Sequence, residues 1–162
     1  AVFAGVEGSR PVLVEIQALA APTAYGTPRR AVVGWDSARL AMILAVLETR
    51  CGLSFSGRDV YLPVAGGLRI TEPAADLAVA AALISARVDT PLPKQSVVFG
   101  EVALSGEVRP AGRSDLRLKE AAKLGFTNAL APPQKKTGSK DSVKLRAITH
   151  ISELAAALGA VE

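Results

Sequence analysis

Only one cysteine, Cys51, and one histidine, His150, occur in the sequence. A single cysteine cannot form a disulfide within the chain, and one Cys with one His cannot supply the four ligands of a structural zinc ion. The two could in principle form a thiol dyad, but Cys51 directly precedes Gly52 and is more simply a filler at a helix end. The shortage of thiols fits a reducing compartment.

Aromatic residues make up only 4% of the sequence, so the core must be built from aliphatic side chains and alanine. No apolar run is long enough to span a membrane, because even the Ala-rich stretch 74–86 is too short and carries Asp76. No signal peptide is visible. Since the first residue is Ala and lies within an apolar stretch, we expect the sequence to be cut from a longer polypeptide.

What is present indicates a globular chain of 162 residues, with 49% hydrophobic and 21% charged residues. This length predicts one domain spanning residues 1–162. The net charge is +4, the pI is about 9.5, and every lysine lies at Lys94 or later. So small a net positive charge is compatible with ordinary solubility, but it also favours attraction to a polyanion.

Hydrophobic periodicity and chain breakers predict a mixture of helices and strands. We predict helices from Asp36, as N-cap, to about Arg50, and over residues 74–87, 113–124 and 151–158. We predict strands over residues 11–19, 31–34, 59–65, 128–131 and 143–148, and two strands within 96–108 joined at Ser105–Gly106. Residues 21–30 and 132–141 are predicted loops. Hairpins mixed with crossovers predict an α/β (α+β) fold.

Three segments of the sequence carry a resemblance to a known family. They read GWDSARLA at 34–41, DVYLPVAGGLRITEPAADLA at 59–78, and FGEVALSGEVRP at 99–110 followed by RLKEAAKLGF at 117–126. Together they resemble the C-terminal domain of RadA (Sms), a family of bacterial DNA-repair proteins. The resemblance includes the opening stretch and weakens only in the loop 132–141.

That domain is similar in turn to the proteolytic domain of Lon proteases. The resemblance implies a Lon-proteolytic-domain-like fold, shared with domain 2 of ribosomal protein S5, and subunits that assemble into a ring, usually a hexamer. It implies a parent ATPase for recombination and branch migration, with a recombinase as a possible partner, in the bacterial cytoplasm at the nucleoid. ATP, Mg and Zn are expected only in the zinc-binding and RecA-like parts of that parent, and no cofactor is expected here.

Lon proteases use a serine–lysine dyad, in which the lysine amine takes the proton of the attacking serine hydroxyl. Their Gly-Pro-Ser-Ala-Gly motif matches residues 72–76, which places Ala74 at the nucleophile position. The Lon lysine lies five residues after the proline that matches Pro110, and this position holds Asp115. With both partners missing, the resemblance implies a domain without catalytic residues. Lys119 with Ser105 or Ser114 could form another Ser/Lys pair, but such pairs are common on surfaces.

The basic residues on predicted loops and helix starts are the candidates for binding DNA phosphates. They are Arg29, Arg30, Arg39, Arg109, Arg113, Lys135 and Lys136. Each of them alone could equally be a solvated surface charge. Trp35 and Tyr61 could stack on bases, but each is isolated, so core packing is the preferred interpretation. Asp76 is interpreted as a first-turn carboxylate favoured by the helix dipole.

A DNA-binding and assembly module is therefore the leading hypothesis. Two rivals stay open at the level of sequence: a Lon-like Ser/Lys peptidase, and a purely structural domain that forms a ring without touching DNA.

Overall fold

Two larger β-sheets, a short hairpin and four α-helices make up the part of the chain that the computed structural model describes, residues 1–24, 26–135 and 143–160. The helices are α1 (Ser37–Cys51), α2 (Asp76–Val88), α3 (Ser114–Lys123) and α4 (Ile151–Ala157). The strands are β1 (Val2–Glu7), β2 (Arg10–Glu15), β3 (Leu19–Pro22), β4 (Arg30–Val33), β5 (Arg58–Pro63), β6 (Ser96–Val98), β7 (Glu101–Val102), β8 (Val108–Arg109), β9 (Asn128–Ala131) and β10 (Lys144–Ala147). The predicted α/β class is confirmed.

The larger sheet has the strand order β10-β9-β6-β1-β2. Its first four strands run parallel, and β2 closes one edge as the antiparallel partner of β1. The second sheet has the order β3-β5-β4, with β3 antiparallel and β4 parallel to the central β5. The strands β7 and β8 form a separate hairpin. Parallel neighbours require crossover connections. The chain passes through α1 between β4 and β5, and through α3 between β6 and β9.

The helix α1 begins and ends where the sequence predicts. The Asp36 side chain accepts a hydrogen bond from the backbone N–H of Ala38 at 2.8 Å, and Gly52 ends the helix in the left-handed conformation with φ 68°. Its buried stripe of Leu40, Ile43, Leu44 and Leu47 faces the core. The preceding Trp35 is also buried, which confirms core packing for that residue.

The helix α2 is buried on all sides from Asp76 to Ile84. Its many alanines let it pack closely against α1, α4 and β3 at the centre of the molecule. A 3₁₀ turn, Pro73–Ala75, leads into it, so the predicted helix at 74–87 is confirmed with a tighter first turn. Of all the helices in the described part of the chain, none is long and apolar enough to cross a membrane.

Three strand predictions were wrong in detail. The predicted strand 11–19 divides into β2 and β3, which belong to different sheets, and β3 extends into the predicted loop at Pro22. Within 96–108 only β7 and β8 pair as a hairpin, whereas β6 enters the larger sheet. The strand β1 was missed because Phe3, Ala4 and Gly5 are all buried, so apolar and polar residues do not alternate there.

Candidate functional site

Ala74 occupies the position of the Lon nucleophile and is 6% exposed within the 3₁₀ turn before α2. The backbone around it is satisfied by the chain itself. Gly100 donates its N–H to the Ala74 carbonyl at 2.7 Å, and Leu77 donates to the Gly100 carbonyl at 3.0 Å. A methyl group cannot attack a carbonyl carbon, and this one is packed into the core.

Asp115 occupies the position of the Lon lysine and is exposed in the first turn of α3. A carboxylate suits a helix N-terminus, because it interacts favourably with the N-terminal end of the helix dipole. Its charge has the wrong sign for a lysine-type base.

The alternative nucleophile–base pairs are not formed by the residues that the structure describes. The Ser114 hydroxyl donates to the Ala111 carbonyl at 2.9 Å, and that of Ser105 accepts from the Glu107 N–H at 3.3 Å. In the described part of the chain, no hydrogen bond joins Lys119 to either serine. Burial raises the pKa of the Cys51 thiol, which disfavours the reactive thiolate, and His150 bonds to Ser152 instead.

Two ion pairs flank Ala74, one on each side. Two residues before it Glu72 pairs with Arg117, and two residues after it Asp76 pairs with Arg39. In the Lon motif both of these flanking positions are glycine. Each carboxylate is paired with an arginine of a helix, Asp76 with Arg39 of α1 and Glu72 with Arg117 of α3.

The pair of Arg39 and Asp76 is bidentate. Nε and Nη2 of Arg39 donate to the two carboxylate oxygens of Asp76 at 2.6 Å each, and the Val102 N–H donates to one of them at 3.0 Å. Burial raises the pKa of the Asp76 carboxyl, and the Arg39 guanidinium and the Val102 N–H act against that rise. The hydrogen bond to Asp76 raises the pKa of Arg39. Three donors converge on this carboxylate, and the ionised form is the one that they fit.

In the pair of Arg117 and Glu72 the arginine is the buried partner, and Glu72 is half-buried. Arg117 is 3% exposed, donates through Nη2 to Glu72 Oε1, and donates to the carbonyls of Gly112 (2.9 Å) and Ala4 (2.8 Å). Its guanidinium carbon lies 6.0 Å from the ring centroid of Phe3 and 5.7 Å from that of Phe99. Burial lowers the pKa of Arg117 to about 10. Sequence reasoning missed this cluster, since nothing in the local pattern shows that Arg117 points inward.

The predicted DNA-contacting residues differ in how free their side chains are. Arg29, Arg109 and Lys135 are exposed, as the hypothesis requires. Lys136 lies outside the described residues. Arg39 is half-buried and donates to Asp76 through Nε and Nη2, which leaves it fewer donors for a phosphate, and as a DNA contact it stays a prediction.

Arg30 and Arg113 are exposed, but both guanidinium groups contact the backbone of the chain. Arg30 donates to the carbonyl of Arg58 and, at 3.2 Å, to that of Phe55. These hydrogen bonds connect β4 to the start of β5 and the residues before it. Arg113 donates to the Gly8 carbonyl at 2.6 Å and so reaches the β1–β2 turn. Arg113 keeps further N–H donors that can face solvent, whereas Arg30 uses most of its donors internally.

Two arginines that sequence reasoning did not select lie beside this turn. In strand register, Arg10 of β2 lies opposite Glu7 of β1. Arg69 lines a surface crevice that Gly8 also lines. Both side chains are exposed, and among the described residues neither makes an ion pair. We call Arg10, Arg69 and Arg113 the turn cluster. Their positions are far apart in the sequence, so only the fold could bring them together. Also within the described residues, no group of His, Cys, Asp or Glu could hold a metal ion.

Comparison with known proteins gives strong similarity to one set of relatives. The chain is 66% identical over 132 residues to the DNA repair protein RadA of Brucella abortus, which covers 82% of the chain and 28% of that protein. It is 52% identical over 159 residues to RadA of Rickettsia bellii, covering 98% of the chain and 35% of that protein. For RadA of Aquifex aeolicus the identity is 48% over 152 residues, covering 94% of the chain and 34% of that protein.

The chain belongs to the RadA family. It spans about a third of the length of the curated RadA relatives that it matches. No family model matches the chain. The predicted resemblance to RadA is confirmed.

Within this RadA chain, the degenerate dyad and the turn cluster are the two features that bear on function. At the first, Ala74 is buried and lies between two residues that form ion pairs. The second is open, because the guanidinium groups of Arg10 and Arg69 face solvent. These exposed guanidinium groups can bind an anion.

Proposed function

We propose that this part of RadA is a non-proteolytic module that binds the DNA backbone and assembles with copies of itself into a ring. The observation that carries the proposal is the buried Ala74 between two ion pairs, in a chain whose relatives are DNA repair proteins. A Lon-like domain of the S5 type that has lost its chemistry would be retained for binding and assembly.

The turn cluster supports contact with DNA. Arginines bind phosphates without reading sequence, and three of them around one hairpin turn can follow a single strand of the backbone. Arg29 on the 21–30 loop adds a further exposed cation. We therefore expect weak, sequence-independent binding with strong salt dependence.

Exposed apolar side chains support self-assembly. Leu19 is 59% exposed, Val33 61% and Tyr61 36%, and strand register places Leu19 directly beside Tyr61. Val33 lies on the same outer face of the β3-β5-β4 sheet, two residues along from Ala31, the other neighbour of Tyr61. Tyr61 is thus a surface residue, and its predicted core packing was wrong. A neighbouring subunit would cover this face, and the resemblance to Lon-like domains favours six subunits.

For the whole protein we propose a DNA-dependent ATPase that acts in branch migration at the nucleoid, with a recombinase as a partner. Its ATP, Mg and Zn would be held by the parts of RadA that lie outside these 162 residues.

Titration of a fluorescently labelled duplex tests the DNA part of the proposal. Arg10→Ala/Arg69→Ala should weaken binding equally for every sequence and reduce the slope of log K against log salt by about 2, measured between about 50 and about 200 mM salt. Lys94→Ala/Lys123→Ala, which removes the same charge from exposed lysines elsewhere, is the matched control and should change little.

If the wild-type oligomer binds no DNA at low salt, the purely structural ring becomes the better interpretation. If it binds and Arg10→Ala/Arg69→Ala binds equally well, DNA binding stands but the turn cluster is the wrong surface. Comparison with Arg29→Ala/Arg30→Ala then tests the 21–30 loop.

A further inference from the structure

A crevice of about 230 Å³ opens beside the turn cluster. It is lined by residues of β1, of β2 and of the segment 68–72, among them Arg69 of the turn cluster. Gly8 also lines it, and the Gly8 carbonyl accepts a hydrogen bond from Arg113. Arg10 begins β2 two residues after Gly8. The three cations of the turn cluster are therefore gathered around the mouth of this crevice.

Part of the crevice lining is apolar. It includes Phe3, Val14 and Ile70, which are buried. Two further apolar residues of the lining reach solvent: Val12 of β2 is half-buried, and Leu68 is 48% exposed. Val12 and Leu68 belong to different walls, so they can contact a flat ring from two sides. Apolar side chains hold an unpaired base in this way when it leaves the stack.

The rest of the lining is polar and of both hydrogen-bonding kinds. Arg69 is a donor, Glu7 is an acceptor, and the Thr71 hydroxyl can be either. All three residues are exposed, and no hydrogen bond or ion pair joins their side chains to other described residues. Glu72 lines the crevice as well, but its carboxylate is paired with Arg117. Three polar side chains are thus available to a ligand.

This mixture of groups decides between possible ligands. An apolar ligand would bury Glu7, Arg69 and Thr71 without partners, which costs binding free energy. A lone phosphate group inside the crevice would lie beside the carboxylate of Glu7 and would be repelled. A nucleobase fits both parts of the lining, because its faces are apolar and its edge carries donors and acceptors. Base pairing occupies that edge in a duplex, so the matching ligand is an unpaired base.

We propose that this crevice binds one base of single-stranded DNA while the turn cluster binds the neighbouring phosphates. The inference rests on the proposed DNA binding and adds the form of DNA that the site recognises. Phosphate contacts act on single and double strands alike, whereas the base contact needs a strand whose bases are exposed. A volume of about 230 Å³ is below the range of most small-molecule sites, about 300–1,000 Å³, and suits a single ring system.

The test measures binding of three fluorescein-labelled probes to the 162-residue chain by fluorescence anisotropy at low salt. The probes are a single strand of mixed sequence, the duplex that it forms with its complement, and an abasic strand of the same length. Leu68→Ser/Thr71→Ala removes one apolar wall residue and one free hydroxyl without changing the charge. We expect this variant to bind the single strand about tenfold more weakly, because it loses the base contact, and to bind the duplex as the wild type does. Its slope of log K against log salt should stay unchanged.

The matched control is Leu124→Ser/Thr49→Ala, which makes the same two replacements at exposed positions outside the crevice lining. It should bind all three probes as the wild type does. The wild type should bind the abasic strand about tenfold more weakly than the natural strand. Leu68→Ser/Thr71→Ala should bind the two strands alike, because both changes remove the same contact.

Equal loss of single-strand and duplex binding in Leu68→Ser/Thr71→Ala overturns the inference, and so does unchanged single-strand binding. Equally tight binding of the abasic and natural strands by the wild type overturns it too, and this measurement needs no variant. If the wild type binds neither strand nor duplex at low salt, the proposed DNA binding fails and the inference falls with it. If Arg10→Ala/Arg69→Ala weakens duplex binding while Leu68→Ser/Thr71→Ala changes nothing, the proposed function stands and only the base contact is removed.

Discussion

At the scale of single residues, Asp76 is the position whose burial depends most on specific hydrogen-bond partners. It is a buried carboxylate in a helix that is otherwise apolar, and it is bound by Arg39 and the Val102 N–H. The sequence predicts the position of Asp76 in the first turn of α2, because Pro73 precedes it. The sequence does not predict its partner, because Arg39 lies 37 residues earlier and resembles a surface cation on α1.

Asp76→Ala should destabilise the fold by about 3–5 kcal/mol, because it leaves Arg39 and the Val102 N–H without their acceptor. Asp76→Asn should cost less, since an amide oxygen can still accept from one of them. Urea unfolding followed by circular dichroism measures both. Glu107→Ala, at an exposed carboxylate that forms no ion pair within the described residues, is the control and should stay within about 0.5 kcal/mol of the wild type. A loss below about 1 kcal/mol for Asp76→Ala would contradict the structural role of the pair.

Restoring the dyad residues with Ala74→Ser/Asp115→Lys should give little or no peptidase activity. A hydroxyl and an amine also need oxyanion donors and an open cleft. Here the Gly100 N–H bonds to the carbonyl of residue 74, and carboxylates replace the flanking glycines. Hydrolysis of fluorescein-labelled casein, compared with the wild type, is the measurement. Turnover by the double variant that is absent from Asp115→Lys alone, which keeps Ala74, would show that these barriers do not matter.

At the scale of elements, α4 has an unusual N-cap. His150 Nδ1 accepts from the Ser152 N–H at 3.1 Å, so Nε2 carries the proton and lies 3.2 Å from the Ser105 carbonyl. One side chain thus starts a helix and holds the turn of the β7–β8 hairpin. Gly106 must stay glycine beside it, because its φ is 91° and a Cβ would lie 2.6 Å from His150 Nε2.

We expect His150→Ala to lower stability by about 1–2 kcal/mol, combining a lost N-cap with a lost hydrogen bond. His150→Asn should recover the larger part, because asparagine is a good N-cap but is too short to reach Ser105. Thermal unfolding of the three proteins tests this order. Equal stability of all three would show that the ring makes no net contribution.

Most helices could be predicted from the sequence, because their caps and periodicity are local. Asp36 and Gly52 delimit α1, and the apolar stripe between them points to the core. Strand pairing is not local, and so the division of 11–19 between two sheets and the separation of β6 from β7 were not predictable. The same limit explains the site: Ala74 and Asp115 were found by motif, whereas Glu72–Arg117 and the turn cluster depend on contacts between distant segments.

At the scale of the whole molecule, the outer face of the β3-β5-β4 sheet should decide oligomeric state. Val33→Asp/Tyr61→Asp places two charges on that face and should convert the proposed ring to monomers. Sedimentation velocity at micromolar concentration gives the result. Leu124→Asp, at a leucine that is 56% exposed at the end of α3, is the control and should leave assembly intact. A wild-type chain that is itself monomeric at low salt would contradict the ring, and an intact double-variant ring would place its interface elsewhere.

Trp35 gives the chain a built-in optical reporter. It is the only tryptophan, it is 4% exposed, and its indole N–H has no hydrogen-bond partner among the described residues. An indole in so dry a setting emits at short wavelength and shifts to the red when water reaches it. Excitation near the red edge of protein absorbance therefore isolates a signal from the junction of β4 and α1, without any label. The unfolding of every variant above can be followed at this one point while the two tyrosines stay dark.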